Sequence, residues 1–137
     1  MIFREERKDL FSVNFKEWTP VHCISRDCKM GAGIAVPMRK KFELGGLKKV
    51  VNIYPTSVYH NGVFNLITKA HYWNKPTLNS LKKSLIDMKS QIEELGIKKI
   101  VMPKIGCGLD KLNWPEVREL IKVIFEEMDI EILVCYI

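Results

Sequence analysis

The chain of 137 residues has few of the side chains that build metal sites or disulfide frameworks. It contains three histidines and four cysteines, and no two cysteines form a Cys-x-x-Cys pair. Because zinc sites and small disulfide-stapled folds depend on such spacings, the sequence predicts neither of them. The four thiols are expected to be reduced, as in a cytoplasmic protein.

Long hydrophobic runs and the common nucleotide-binding motifs are also missing. No apolar run approaches the roughly 20 residues of a membrane-spanning helix, and residues 1–8 contain no apolar signal-peptide core. The Walker A pattern GxxxxGK[ST] does not occur, and Val36 stands where the third glycine of a dinucleotide fingerprint belongs. We therefore expect a cytoplasmic protein that does not associate with a membrane and is neither a P-loop nor a Rossmann protein.

The overall composition predicts one globular domain over residues 1–137, with 47% hydrophobic and 28% charged residues. The net charge of +6 favours anionic partners. Solvated surface and attraction of a nucleotide or nucleic acid both fit the basic clusters. Few aromatic residues interleave with these clusters, so the sequence does not indicate a platform that stacks single-stranded bases. The clusters are Arg39–Lys41, Lys48–Lys49, Lys82–Lys83 and Lys98–Lys99.

Strand and helix patterns alternate along the chain. Helical spacing predicts a helix over residues 34–42, a second from Leu78 to Leu95 after an N-cap at Thr77, and a third after Asn113. Asn61-Gly62 predicts a type I′ hairpin turn. Short apolar strands between helices predict an α/β sandwich, mostly parallel with some antiparallel pairing. The predicted strands cover residues 2–4, 21–24, 50–54, 58–59, 63–68, 99–102 and 130–137.

Two glycine turns follow predicted buried strands, Met30–Ala35 and Pro103–Asp110. Glycine permits positive φ and close approach of a ligand, so consecutive N–H groups in such turns can converge on an anion. Ligands of open α/β sheets bind at the carboxyl ends of strands, where Lys69 also lies. The pair of turns therefore predicts one cleft that holds a diphosphate from both sides.

Four side chains near these turns each have a structural and a chemical interpretation. Cys107 is either a nucleophile or a small residue that fits a tight loop, and His22 is either catalytic or a hydrogen-bonded core histidine. Lys69 is either a solvated strand-end lysine or an amine that attacks a sugar carbon in its neutral form. Asp110 either caps its turn or acts as a general acid/base.

Linked motifs in this chain resemble the macrodomain family, most closely its terminal ADP-ribose protein glycohydrolase branch. His22–Val36 resembles the first phosphate loop of that branch, and Leu66–Lys69, Lys75–Thr77 and Pro103–Asp110 match in order and approximate spacing. The match covers nearly the whole chain. The resemblance implies a single macrodomain, a three-layer α/β/α sandwich with a mixed, mostly parallel central sheet, and an ADP-ribose cleft across the strand ends.

The same resemblance implies residue roles. Lys69 would attack the anomeric carbon of the distal ribose and release a Glu or Asp carboxylate, and Asp110 would help to resolve the lysyl intermediate. Asp9 would meet the adenine amino group, Leu10 would meet its ring edge, and the last strand would close the adenine side. The other implied ligand contacts are Ser25, Met30, Gly31, Ala32, Gly33, Ile34, Ile105, Gly106, Cys107, Gly108, Leu109, Tyr136 and Ile137.

The leading hypothesis from the sequence is a monomeric ADP-ribosyl hydrolase that removes acyl-linked ADP-ribose from modified proteins. It requires no metal or cofactor, since backbone N–H groups hold a diphosphate. Deacylation of O-acetyl-ADP-ribose and release of poly(ADP-ribose) would use the same cleft. The alternatives are an ADP-ribose-binding reader without catalysis, a hydrolase of ADP-ribosylated DNA, and a nucleic-acid-binding module that rests on charge alone.

Overall fold

One six-stranded sheet organises the computed structural model, which describes residues 1–137. The strands follow the order β1-β6-β5-β2-β4-β3, and every neighbouring pair is parallel except β3 and β4. The predicted mixed, mostly parallel sheet is therefore confirmed. The strands are β1 (Ile2–Arg7), β2 (Thr19–Ser25), β3 (Thr56–His60), β4 (Val63–Lys69), β5 (Lys99–Met102) and β6 (Glu131–Tyr136).

Three α-helices and two 3-10 helices connect the strands. The 3-10 helices cover Leu10–Ser12 and Leu44–Lys49, and the α-helices are α1 (Ala35–Phe42), α2 (Leu78–Leu95) and α3 (Trp114–Phe125). Thr77 and Ser80 form a reciprocal capping box at the start of α2, and the Asn113 side chain accepts the Glu116 N–H at the start of α3. None of the helices combines the length and hydrophobicity needed to cross a lipid bilayer.

The helices cover the sheet on two faces, which confirms the predicted three-layer sandwich. On one face α2 and α3 bury apolar side chains such as Leu85 and Ile121 against the sheet. On the other face α1 and the 3-10 helices bury Met38, Leu44 and Leu47. The second layer is thin because it contains only one short α-helix, and this leaves room for loops at the strand ends.

The sequence-based strand over residues 50–54 is wrong. The N–H groups of Val50 and Val51 both donate to the Leu47 carbonyl at 2.9 Å, so they close the 3-10 helix instead of joining a sheet. Ile53 and Tyr54 are exposed. The apolar run resembles a strand in sequence, but it does not pair with the sheet. The edge strand is β3, which begins at Thr56.

The predicted hairpin joins β3 to β4. Asn61 and Gly62 have φ angles of 50° and 77°, as a type I′ turn requires. β3 is an edge strand of the sheet, and α2 packs beside it. The Asp87 carboxylate of α2 accepts the Ser57 N–H and the Thr56 hydroxyl, both at 2.7 Å. This side-chain pairing satisfies an edge strand that would otherwise offer free backbone groups.

The parallel strands bring distant loops together. β2, β4, β5 and β6 run in the same direction, so their carboxyl ends meet at one edge of the sheet. The segments that follow them are residues 26–34, 70–77 and 103–113 and the chain end. Both glycine turns and Lys69 are therefore at the same edge.

Candidate active site

A cavity of about 1060 Å³ opens at the carboxyl ends of the strands. This volume is at the upper end of the range of small-molecule sites. The structure places every site residue expected from the sequence in its wall: Asp9, Leu10, Ser25, Met30, Gly31, Ala32, Gly33, Ile34, Lys69, Ile105, Gly106, Cys107, Gly108, Leu109, Asp110, Tyr136 and Ile137.

Lys69 and Asp110 form a close ion pair in this wall. The Lys69 Nζ atom donates to Asp110 Oδ1 at 2.6 Å, and the two side chains are only 13% and 15% exposed. Lys69 is the last residue of β4 and Asp110 lies in the loop after β5, with β2 between the two strands. Asp110 therefore pairs with Lys69 and does not merely cap its own turn. The ammonium has a carboxylate acceptor in direct contact.

The first glycine loop turns through left-handed backbone at three positions. Cys28, Met30 and Gly33 have φ angles of 55°, 46° and 61°. A Cβ atom at Gly33 would lie 3.2 Å from Leu109 Cδ1, so the first loop touches the second one here. Ile34, the N-cap of α1, contributes no side-chain hydrogen bond to the helix. Of the first residues of α1, Val36 and Met38 donate their N–H groups to the Gly33 and Ile34 carbonyls and Pro37 has no N–H group, so the Ala35 N–H is left for an anion.

The second glycine loop folds back on itself. Gly106 has a φ of 72°, and a Cβ atom there would lie 2.9 Å from Leu112 Cδ1. The Leu112 N–H donates to the Gly106 carbonyl at 2.7 Å and closes the loop. Because an L side chain is both strained and crowded at this position, glycine is required for the loop to keep this shape.

Asp27 connects the first glycine loop to the segment after β4, a role that sequence reasoning missed. Its Oδ1 atom accepts the Ser25 hydroxyl and the Lys29 N–H, and its Oδ2 atom accepts the Tyr72 N–H at 3.0 Å. Burial raises the pKa of the Asp27 carboxyl, but these hydrogen bonds outweigh it and the net pKa is lowered. The carboxylate therefore stays ionised and braces both segments.

Several cationic and aromatic residues of the wall were also not predicted individually as site residues. The Lys75 Nζ atom donates to the Leu109 carbonyl at 2.6 Å and ties the segment after β4 to the second glycine loop. The Lys104 ammonium lies 4.4 Å from the centroid of the Tyr136 ring. Lys75 and Lys104 lie within the Lys75–Thr77 and Pro103–Asp110 motifs, which together with the net charge were the sequence signals for these two positions. The additional wall residues are Lys8, Cys23, Ile24, Lys29, Ala35, Tyr72, Lys75, Pro103, Lys104 and Cys135.

The structure favours the structural interpretation of His22. The side chain is fully buried outside the cavity wall, with Nε2 2.6 Å from Asn65 Oδ1. The Asn65 amide donates to the carbonyls of Val58 and Val63, which leaves Oδ1 as the acceptor of the His22 proton. Burial lowers the pKa of His22 to about 4, against a smaller opposing effect of Asn65, so the imidazole is neutral at pH 7.

The Cys107 thiol is not activated as a nucleophile. Burial raises its pKa to about 11, the positive charge of Lys104 opposing this effect, so the thiol is protonated at neutral pH. The neighbouring Cys23 also has a raised pKa, mainly through burial and then through the negative charge of Asp110. No three His, Cys, Asp or Glu side chains are grouped so that they would hold a metal ion.

Comparison with known proteins shows similarity along most of the chain. A family model described as "Macro domain" matches residues 21–121. The chain is 46% identical over 121 residues to the ADP-ribose glycohydrolase OARD1 of Bos taurus, a match that covers 83% of this chain and 78% of that protein. It is 28% identical over 114 residues to a DNA ADP-ribosyl glycohydrolase of Thermus aquaticus, covering 73% of this chain and 32% of that protein.

Solved structures share the fold at low sequence identity. The macrodomain of Mycobacterium tuberculosis DarG superimposes with a TM-score of 0.86 and 20% identity, covering 99% of this chain and 98% of that one. The Thermosipho africanus DarTG structure in complex with ADP-ribose superimposes with a TM-score of 0.78 and 18% identity, covering 99% of this chain and 42% of that one. At these identities the likeness concerns the fold.

Proposed function

The chain belongs to the macro domain family, and we propose that it is an ADP-ribosyl hydrolase that releases ADP-ribose from ester linkages on modified proteins. The observation that carries this proposal is the 2.6 Å contact between Lys69 Nζ and Asp110 Oδ1 in the wall of the cavity. A reader of ADP-ribose needs the glycine loops but has no use for a paired amine and carboxylate at the distal end of the cleft.

The cavity offers complementary groups along the length of ADP-ribose. We assign the diphosphate to the two glycine loops and the Ala35 N–H at the start of α1, because backbone donors hold an anion without a counter-ion. The adenine lies between the Asp9–Leu10 segment and Tyr136. Asp9 Oδ1 already accepts the Phe11 N–H at 2.9 Å, which leaves Oδ2 for the adenine amino group.

The ion pair supplies both groups that the reaction needs. A proton moves from Lys69 Nζ to Asp110, and the neutral amine attacks the anomeric carbon of the distal ribose. The bond from that carbon to the ester oxygen breaks, and the carboxylate of the acceptor leaves. The nitrogen keeps its two protons, so the adduct is a secondary ammonium. Water then attacks the same carbon and the C–N bond breaks, with its electron pair returning to the nitrogen. Asp110 returns its proton to the departing amine, and the surplus proton of the attacking water passes to solvent and balances the released carboxylate.

The first experiment measures ADP-ribose release from a glutamate-modified protein by wild type, Lys69→Ala and the control Lys98→Ala, whose side chain lies on the surface. Wild type and Lys98→Ala should release ADP-ribose, whereas Lys69→Ala should be at least about 100-fold slower. Calorimetry should show that all three bind ADP-ribose. Turnover by Lys69→Ala at the wild-type rate would exclude the lysine mechanism, and binding without release by wild type would favour the reader.

ADP-ribosylated DNA is the second candidate substrate. The net charge of +6 favours it, as does the similarity of the chain to the DNA ADP-ribosyl glycohydrolase of Thermus aquaticus. The same assay with an ADP-ribosylated oligonucleotide compares the two acceptors directly.

For either acceptor we propose that the protein acts as a monomer in the cytoplasm. Sedimentation would check the oligomeric state, and cell fractionation would check the location.

A further inference from the structure

The segment after β4 exposes an aromatic cluster made of His71, Tyr72 and Trp73. The His71 and Trp73 rings are stacked at a centroid distance of 4.3 Å and an angle of 7°, and Tyr72 meets Trp73 edge-on at 5.2 Å. Tyr72 and Trp73 are 58% and 63% exposed. Trp18 and Trp114 are buried, so Trp73 is the one tryptophan that solvent reaches freely.

The aromatic cluster leads from the reacting end of the cleft to the surface. It begins two residues after Lys69, and Tyr72 lines the cavity while Trp73 lies outside its wall. The Asp27 carboxylate accepts the Tyr72 N–H, so the start of the segment is held in place. A group attached to the distal ribose beside Lys69 would therefore pass along the aromatic cluster as it leaves the cavity.

The loop after β2, which is paired with the end of β4, carries two exposed cationic side chains, Arg26 and Lys29. The Arg26 guanidinium lies 5.5 Å from the centroid of the exposed Tyr54 ring, and the Arg26 N–H donates to the Lys69 carbonyl at 2.9 Å. Lys29 is exposed on the same loop. The Asp27 carboxylate adds one negative charge here, and its Oδ2 atom lies 3.9 Å from His71 Nδ1, which leaves the two cations in excess. Exposed rings next to cations are the combination that binds bases on a phosphate backbone.

We propose that the aromatic cluster is a subsite for a nucleobase that belongs to the acceptor and is carried on a phosphate backbone. The inference rests on the proposed hydrolysis, because it concerns what is attached to the bound ADP-ribose. A nucleic-acid strand and a poly(ADP-ribose) chain both provide such a base. The sequence did not indicate a stacking platform because its lysine clusters contain few aromatics, whereas the structure builds the platform from other residues.

Two substitutions at Trp73 separate stacking from simple apolar contact. Trp73→Phe keeps an aromatic face, and Trp73→Leu keeps apolar bulk without one. With an ADP-ribosylated single-stranded oligonucleotide or poly(ADP-ribose)-modified protein, Trp73→Leu should lower kcat/KM about 10-fold, mainly through KM, and Trp73→Phe should recover most of it. The substrate with the larger loss identifies the source of the base.

A peptide that carries ADP-ribose on glutamate, without any nucleobase, serves as the matched substrate. Its hydrolysis by Trp73→Leu should stay close to that of wild type, and free ADP-ribose should bind both with the same affinity. An equal loss on the peptide would overturn the proposal in favour of a peptide-binding surface. Unchanged kcat/KM on both nucleobase-bearing substrates would also overturn it.

Fluorescence tests the subsite independently of turnover. Titration with an unmodified single-stranded oligonucleotide at low salt should quench the emission of Trp73 in wild type, and Trp73→Phe should lose this response. Absence of quenching would count against stacking even if the enzyme is active. If no substrate is hydrolysed, the proposed function fails, while the quenching still supports or overturns the subsite.

Discussion

At the scale of single residues, the site depends on two side chains that are 41 positions apart. The sequence indicates a lysine at the end of one apolar strand and an aspartate after another, each with an ordinary structural explanation. The 2.6 Å contact between Lys69 Nζ and Asp110 Oδ1 supports the proposed chemical roles, because it brings a partly buried amine and a carboxylate acceptor together. Cys107 has no comparable partner, and burial keeps its thiol protonated by raising its pKa.

His22 should make the folded protein sensitive to acid. Burial lowers its pKa from 6.5 to about 4. Between these two pH values His22 is protonated in the unfolded chain and neutral in the folded chain. The free energy of unfolding therefore keeps its full value above pH 6.5 and falls by about 3 kcal/mol toward pH 4 through this group. Urea unfolding of wild type and His22→Gln, which keeps an N–H donor for Asn65, should show this difference. Parallel pH profiles would contradict it.

At the scale of elements, each glycine loop is shaped by the strand before it and by contacts with other loops. The first loop leaves β2 and enters α1, so the loop and Ala35 at the helix start line the same cavity. Asp27 and Lys75 then link the segment after β4 to both glycine loops. Hydrogen bonds therefore join the three loops around Lys69 and the start of the aromatic cluster.

Gly106→Ala should destabilise the protein by about 1–3 kcal/mol, because the φ of 72° and the contact of 2.9 Å with Leu112 Cδ1 both oppose a Cβ atom. The Leu112 side chain is able to yield, so the backbone strain accounts for most of the loss. Gly45→Ala is the control, since its nearest contact is 4.0 Å away and its φ is not positive. Urea unfolding should give Gly45→Ala a stability close to wild type. Equal effects of the two substitutions would refute the conformational argument.

At the scale of the whole molecule, the cavity is a product of sheet topology. Its wall combines the segment before the 3-10 helix at Leu10, loops that follow β2, β4 and β5, and the end of β6. These parts are scattered along the chain and meet only because the strands are parallel and adjacent in the order β6-β5-β2-β4. A ligand that spans the cavity therefore contacts segments that are far apart in sequence.

ADP-ribose should stabilise the whole molecule. At 100 times its Kd, a ligand that binds only the folded state adds about 2.7 kcal/mol, which corresponds to a rise in Tm of about 9 °C for a domain of this size. Differential scanning fluorimetry should show the same rise for wild type and Lys69→Ala, and AMP at equal concentration should give a smaller one. The absence of any shift at millimolar ADP-ribose would contradict the assignment of the cavity.

The sequence by itself determined most of the local structure. Helix periodicity and caps predicted α2 and α3, Asn61-Gly62 predicted the hairpin, and glycine spacing predicted the two loops, since these features depend on neighbours in sequence. The exception is residues 50–54, where an apolar run formed no strand because its amides bond locally to Leu47. The site residues that the resemblance to the macrodomain family implied all lie in the wall of the cavity, although ten further wall residues were not among them.

Only the tertiary structure decided which of these residues act together. The pairing of Lys69 with Asp110, the bracing by Asp27 and the exposure of Trp73 beside the cleft all depend on strand order and on burial. A sequence pattern reports the environment of a residue along one strand or helix, whereas these contacts join segments from separate parts of the sheet. Their geometry is fixed by packing of the two helical layers on the sheet, which no local pattern encodes.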